Sequence, residues 1–143
     1  MGISKNLTEF LEMPNCICFM IVGIGIDVFT IKRIHKLCGK PKMVRDFFHP
    51  FEIVYSALLQ DEISYLASCF AAKEAFVKAL GIGLVYFNLP DICLLHRKYI
   101  GDTLVFSESI KQFLTNKFGK YIIHVSTSIG QTYVIAMVIV ETI

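Results

Sequence analysis

Met20-Ile-Val-Gly-Ile-Gly-Ile-Asp27-Val28 is a short, almost wholly apolar run with a single acid near its end. A run of this kind reads as a buried strand carrying one carboxylate at its C-terminal end. Just beyond it Thr30 is placed to cap a helix over 31–37, which Gly39 and Pro41 interrupt. His49-Pro50-Phe51-Glu52 has the form of a second helix start, with Pro50 at the first position and an acid favourable near the N-terminus, and this helix is expected to run through Leu59.

The longest helical segment opens at Asp61 or Ser64. Leu66, Phe70, Val77 and Leu80 give it apolar spacing, and Ala67, Ala71, Ala72, Ala75 and Ala79 permit close packing, until Gly81 ends it as the residue after the cap. Beyond Gly83 the pattern turns to strands at 91–95 and 103–106, then to a helix capped by Ser107 and closed by Gly119. Two β-branched runs, 122–127 and 133–140, flank Gly130-Gln131 as a hairpin; the second is apolar on both faces, as a central or interface strand would be.

The 143 residues suffice for one domain, which at this size hides roughly two-thirds of its unfolded surface. With 55% hydrophobic and 18% charged residues, surplus apolar surface is expected to go into an oligomer interface. No stretch reaches the roughly 18 uninterrupted apolar residues of a spanning helix, because Pro14, Asn15 and two glycines break 13–26. The five cysteines are odd in number and form no C-x-x-C pair, which argues against a disulfide framework and a structural zinc site and fits a cytoplasmic protein. Residues 1–19, with a weakly amphipathic 7–13 stretch stopped by Pro14, read as an extension without a targeting signal, leaving 20–143 as the domain.

Lys32, Arg33, Lys36, Lys40, Lys42 and Arg45 crowd one short stretch with only Asp46 against them. The concentration points to an acidic partner or a phosphate-bearing ligand, or else to a solvated helix face. Aromatic interleaving and a nucleic-acid-binding motif are missing, so nucleic acid is not the expected partner. Gly23-Ile-Gly25 is not a dinucleotide fingerprint, since Val28 holds the third glycine position. Gly39-Lys40 is followed by Pro41, so a Walker A loop fails too.

The chemistry points to two acids in apolar surroundings: Asp27, and Glu74 within Phe70-Ala-Ala-Lys-Glu-Ala-Phe-Val-Lys-Ala-Leu80. A buried carboxylate is costly unless it pairs or binds metal, and Mg²⁺ is commonly held by one or two carboxylates with substrate phosphates and water. Lys78, one turn after Glu74, would add a cation where phosphate charge develops. Spacing alone leaves two other readings open: Glu74 and Lys78 as a surface ion pair, and Asp27 as a cap for the following helix.

Ile24-Gly25-Ile26-Asp27-Val28 with Lys32-Arg33-Ile34, followed by Phe70-Ala71-Ala72-Lys73-Glu74-Ala75-Phe76 and Lys78-Ala79, resembles the paired signatures of the holo-acyl-carrier-protein synthases, the small trimeric class of 4′-phosphopantetheinyl transferases. The likeness runs from Met20 to about Glu141 and includes Gly81-Ile-Gly83 and His124-Val-Ser126. It implies an α+β fold in which an antiparallel sheet packs on a long helix, and a homotrimer with active sites between subunits. It further implies that Asp27 and Glu74 ligate Mg²⁺ on the pyrophosphate of the substrate coenzyme A, that Lys78 assists the transfer, and that Gly81 and Ser126 belong to the coenzyme site. Lys73 would contact phosphate or serve packing. Arg33, with Lys36 and Arg45, would face an acyl carrier protein, in a pathway of fatty acid biosynthesis. Two positions depart from the family pattern: Ile129 stands near the place of a histidine close to the coenzyme's nucleotide, and Cys69 replaces an arginine.

Overall fold

The computed structural model describes residues 18–97 and 99–143. The 7–13 stretch and its proline break therefore lie outside the described residues. The first element is strand β1 (Met20–Thr30), followed by helices α1 (Ile31–Cys38), α2 (Pro41–Phe47), α3 (Pro50–Ser56) and α4 (Glu62–Ala79). Two single-turn 3-10 segments lead into strands β2 (Ile92–Arg97) and β3 (Gly101–Phe106), then helix α5 (Glu108–Phe118) and strands β4 (Tyr121–Ile129) and β5 (Tyr133–Thr142). The main sheet has the order β1-β5-β4 and is antiparallel throughout, while β2 and β3 pair as a separate antiparallel hairpin.

The expected α+β architecture is present, and β5 is the central strand that its two apolar faces called for. Val134, Ala136, Val138 and Val140 point from it into the core. Helix α4 is buried from Ser64 through Lys73 and again from Ala75 to Val77, so it is enclosed on nearly all sides, as an all-round apolar helix must be. Its ends follow local chemistry. The Asp61 carboxylate accepts from the Ser64 amide at 3.1 Å, and Gly81, at φ +70°, turns the chain so that the Ile82 N–H reaches the Val77 carbonyl at 3.1 Å.

The glycines of β1 owe their place to this helix. A Cβ at Gly25 would lie 1.9 Å from the Ala75 carbonyl oxygen, and one at Gly23 would lie 2.0 Å from that of Ala79. Strand and helix backbones thus touch directly, and Asp27, the next inward residue of the strand, is brought to the level of Glu74 and Lys78. Ile24, Ile26 and Val28 alternate to the opposite face, where each is more than half exposed beside exposed Ile135 and Met137.

Two expectations need correction. Helix α3 stops at Ser56, three residues early, because Leu58 and Leu59 close turns onto Tyr55 and Ser56. Helix α2 was not foreseen: its sequence offers no capping side chain and buries no residue, and Pro41 starts it at a position where a proline's missing N–H costs nothing.

Candidate active site

Asp27 pairs across the sheet with Ala136, whose small side chain leaves room on the inner face, and Asp27 itself is 8% exposed. Lys78 Nζ donates to Asp27 Oδ1 at 2.7 Å and to the Ile26 carbonyl at 3.3 Å. The second oxygen, Oδ2, is buried with no hydrogen-bond partner, which a native structure rarely tolerates without a ligand. Glu74, one helical turn before Lys78, is partly buried. Desolvation first, and the charge of Asp27 second, raise its carboxyl above the ordinary range, while Lys78 and Arg33 pull it back. The hydrogen bond to Asp27 holds the Lys78 ammonium above the usual lysine range.

The open alternatives are thereby decided. Lys78 pairs with Asp27, and among the described residues no ion pair joins it to Glu74. Asp27 makes no cap either, since Thr30 holds the cap position of α1. What remains is a desolvated carboxylate with one orphaned oxygen beside a second carboxylate whose charge is disfavoured. Both defects would be relieved by a divalent cation, and two carboxylates completed by phosphate and water oxygens suit Mg²⁺. Among the described residues no group of three or more His, Cys, Asp or Glu side chains gathers into a metal cluster. Two carboxylates suit an ion whose other ligands are phosphate and water oxygens.

A pH effect follows from the raised Glu74 carboxyl. A group whose folded pKa exceeds its unfolded value adds stability below the unfolded pKa and loses it as pH rises through the folded one. In EDTA, Glu74→Gln is expected to melt higher than the parent at pH 7, with the difference shrinking toward pH 4. Thermal unfolding across that range would contradict this if the two curves ran parallel.

Lys73 is not brought to this centre. It is fully buried, and its ammonium is held by Glu52 Oε2 at 2.6 Å and the Phe47 carbonyl at 2.9 Å. Glu52, also 0% exposed, accepts further from the amides of Leu94 at 2.8 Å and His49 at 2.9 Å. Of the two roles implied for Lys73 the structure supports packing, since its ammonium is fully enclosed and turned toward Glu52 and Phe47. Gly81 is exposed just past the end of α4, the helix that carries Glu74. Ser126 lies on the outer face of β4, opposite Met137, so within one chain the sheet separates it from Asp27.

The basic residues divide. Arg33 stands with its guanidinium 4.8 Å from the Phe29 ring centre and shares a cavity with Lys32 and Lys36. Arg45 instead borders a larger apolar cavity of about 630 Å³ among α1, α2, α3 and α4. Sequence reasoning missed a polar chain at another edge of the molecule: His96 Nδ1 meets Asp102 Oδ1, whose other oxygen accepts from the Thr127 amide at 2.9 Å, while His96 Nε2 lies 3.5 Å from Ser68 Oγ. His96 and Ile129 line one small cavity there. Cys69, near this chain in α4, is fully buried, and desolvation above all pushes its thiol well up.

An antiparallel sheet and a helix thus bring two carboxylates and one lysine together, a set of groups that suits phosphate-group chemistry. The pattern of the 4′-phosphopantetheinyl transferase superfamily matches residues 23–138. A holo-[acyl-carrier-protein] synthase of Clostridium novyi (strain NT) is 37% identical over 123 residues, covering 85% of this chain and 88% of the relative. That of Treponema denticola is 37% identical over 85% of this chain and 99% of its own. Among solved structures, a holo-(acyl-carrier-protein) synthase from Bacillus anthracis in complex with CoA (3′,5′-ADP) superposes with a TM-score of 0.71 at 28% identity, covering 87% of this chain and 99% of that one. The Neisseria meningitidis holo-[acyl-carrier-protein] synthase gives 0.75 at 28% identity over 85% and 98%. The chain belongs to the 4′-phosphopantetheinyl transferase superfamily.

Proposed function

We propose that this protein is a holo-[acyl-carrier-protein] synthase, transferring 4′-phosphopantetheine from coenzyme A to a serine of apo-acyl carrier protein and releasing adenosine 3′,5′-bisphosphate. The observation that carries the reading is the orphaned Asp27 Oδ2 beside Glu74 and Lys78. Asp27 and Glu74 would hold Mg²⁺ together with the coenzyme pyrophosphate. Bound there, the ion supplies Lewis-acid polarisation of the phosphate and charge neutralisation. Lys78 contributes its own part: a half-exposed ammonium, kept protonated by Asp27, is free to turn to the phosphate oxygens where charge accumulates as the serine oxygen bonds to phosphorus and the adenosine bisphosphate departs. Release of adenosine 3′,5′-bisphosphate should require both coenzyme A and the apo carrier and should stop in EDTA. Release without carrier would mark a hydrolase instead.

The working form is a homotrimer with sites between subunits, in the cytoplasm, serving fatty acid biosynthesis. Support for assembly comes from the apolar outer face of the sheet around Ile24, Ile26, Val28, Ile135 and Met137. Ser126 lies on that face, so it could meet the coenzyme only at a neighbouring copy's site. Residues 1–19 are an extension to the domain at 20–143. A chain beginning at Met20 is expected to keep its oligomeric state and transfer rate, as checked by size exclusion and assay; a folded but monomeric or inactive product would contradict this.

Arg33 and Lys36, with Arg45 on the neighbouring helix, receive the acidic carrier. Arg33→Glu is expected to raise the carrier's apparent KM about tenfold or more while changing that of coenzyme A little, and the wild-type value should climb with salt. A carrier KM indifferent to ionic strength would leave these cations as solvated surface.

A further inference from the structure

A cavity of about 370 Å³ opens between the start of α1 and the turn before β5, lined by Thr30, Lys32, Arg33, Lys36, Thr132 and Tyr133. Three cations and three hydroxyl-bearing side chains line it, and no carboxylate does. Among the described residues none of these cations is engaged in an ion pair. Arg33 is fixed against the Phe29 ring, which orders its guanidinium without neutralising it.

The helix beside the cavity breaks a local rule in the same sense. Lys32 and Arg33 fall in the first turn of α1, where the backbone dipole is already positive; that turn holds no acid, and Thr30 caps it with no side-chain hydrogen bond. The Ile31 amide is spoken for by the Thr132 carbonyl, but the side-chain positive charge goes uncompensated. An oxyanion would satisfy cations, hydroxyls and dipole together. The volume accommodates a phosphate with a small organic substituent or several waters, each of which takes about 30 Å³. Arg33 is also near enough to Glu74 to stabilise its charge, which puts the cavity beside the reaction centre.

We propose that this cavity binds a phosphate dianion, free or as a small monoester, and that its occupant competes with the acidic carrier protein. The competition rests on the docking role given above to Arg33 and Lys36; the binding itself does not.

The test is a titration of inorganic phosphate into the metal-free full-length protein in EDTA, followed by amide NMR at ionic strength held constant with chloride. Saturable shifts at Lys32, Arg33 and Thr132 are expected, unchanged in Asp27→Asn and weakened about fivefold or more in Lys32→Gln, as for loss of one charge-assisted contact. Shifts no larger than those with chloride, shifts centred on Asp27 and Glu74, or an unaltered Lys32→Gln affinity would each overturn the site. With Mg²⁺ in excess, phosphate should then raise the carrier's apparent KM beyond the chloride control and leave kcat unchanged. A KM that merely follows chloride would overturn the competition. A complete absence of transfer would instead refute the synthase reading, and the NMR titration would still judge the site.

Discussion

Asp27→Asn and Glu74→Gln are each expected to lower phosphopantetheine transfer by about a thousandfold or more, on the scale of losing a preorganised electrostatic contact in a water-poor site. The two acids are not redundant: one offers a buried oxygen with no protein partner, and the other is a carboxylate whose ionisation is opposed by desolvation and by its neighbour. Removing either leaves the cation held mainly by phosphate and water. For Asp27→Asn stability should barely move, because the Asp27 to Lys78 bridge is half exposed on the lysine side and such pairs contribute about 1 kcal/mol or less, while Glu74→Gln should gain slightly at pH 7. Initial rates at limiting Mg²⁺, alongside denaturant unfolding, separate the two effects. A folded variant with near wild-type turnover would remove that residue from the site.

Lys73→Met is expected to do the reverse, acting on the fold. Lys73 and Glu52 are both fully buried, and four hydrogen bonds from and to this pair tie α4 to the end of α2, the start of α3 and strand β2. Removing one partner strands the other charge without water, a loss of about 3–5 kcal/mol. Glu52→Gln should fall in the same direction, and the pair of substitutions together should cost less than the sum of the two. Urea unfolding measures this directly. A loss below about 1 kcal/mol for Lys73→Met would show that the pair is not the anchor its burial implies.

These two sites also mark what the sequence revealed and what it withheld. Spacing alone left an ion pair and a helix cap open for Asp27, Glu74 and Lys78, and the family resemblance singled them out; what made them legible at all was that charges stand out inside long apolar runs. The strands around Gly130 and the long helix ending at Gly81 were legible for the same reason, as periodic apolar runs with clear punctuation. Glu52 was hidden, since an acid in the first turn of a helix is already explained by the backbone dipole and nothing nearby reveals that it is buried. Lys73 and Glu74 are adjacent in a helix apolar on nearly every side, so no periodicity says which of the two turns inward; the Phe47 carbonyl and Glu52 decide it, both more than twenty residues away in sequence. The chain from Ser68 through His96 and Asp102 to Thr127 spans four elements and is a product of tertiary packing alone. Helix α2 escaped because its residues face solvent or are only partly covered, leaving its pattern without a buried stripe.

The most direct measurement is the intact mass of an apo-acyl carrier protein after incubation with this protein, coenzyme A and Mg²⁺. The carrier should gain one phosphopantetheine on its serine, the gain should vanish in EDTA, and a carrier with that serine changed to alanine should gain nothing. An unmodified carrier in the presence of folded protein, or modification that persists undiminished in EDTA, would contradict the account.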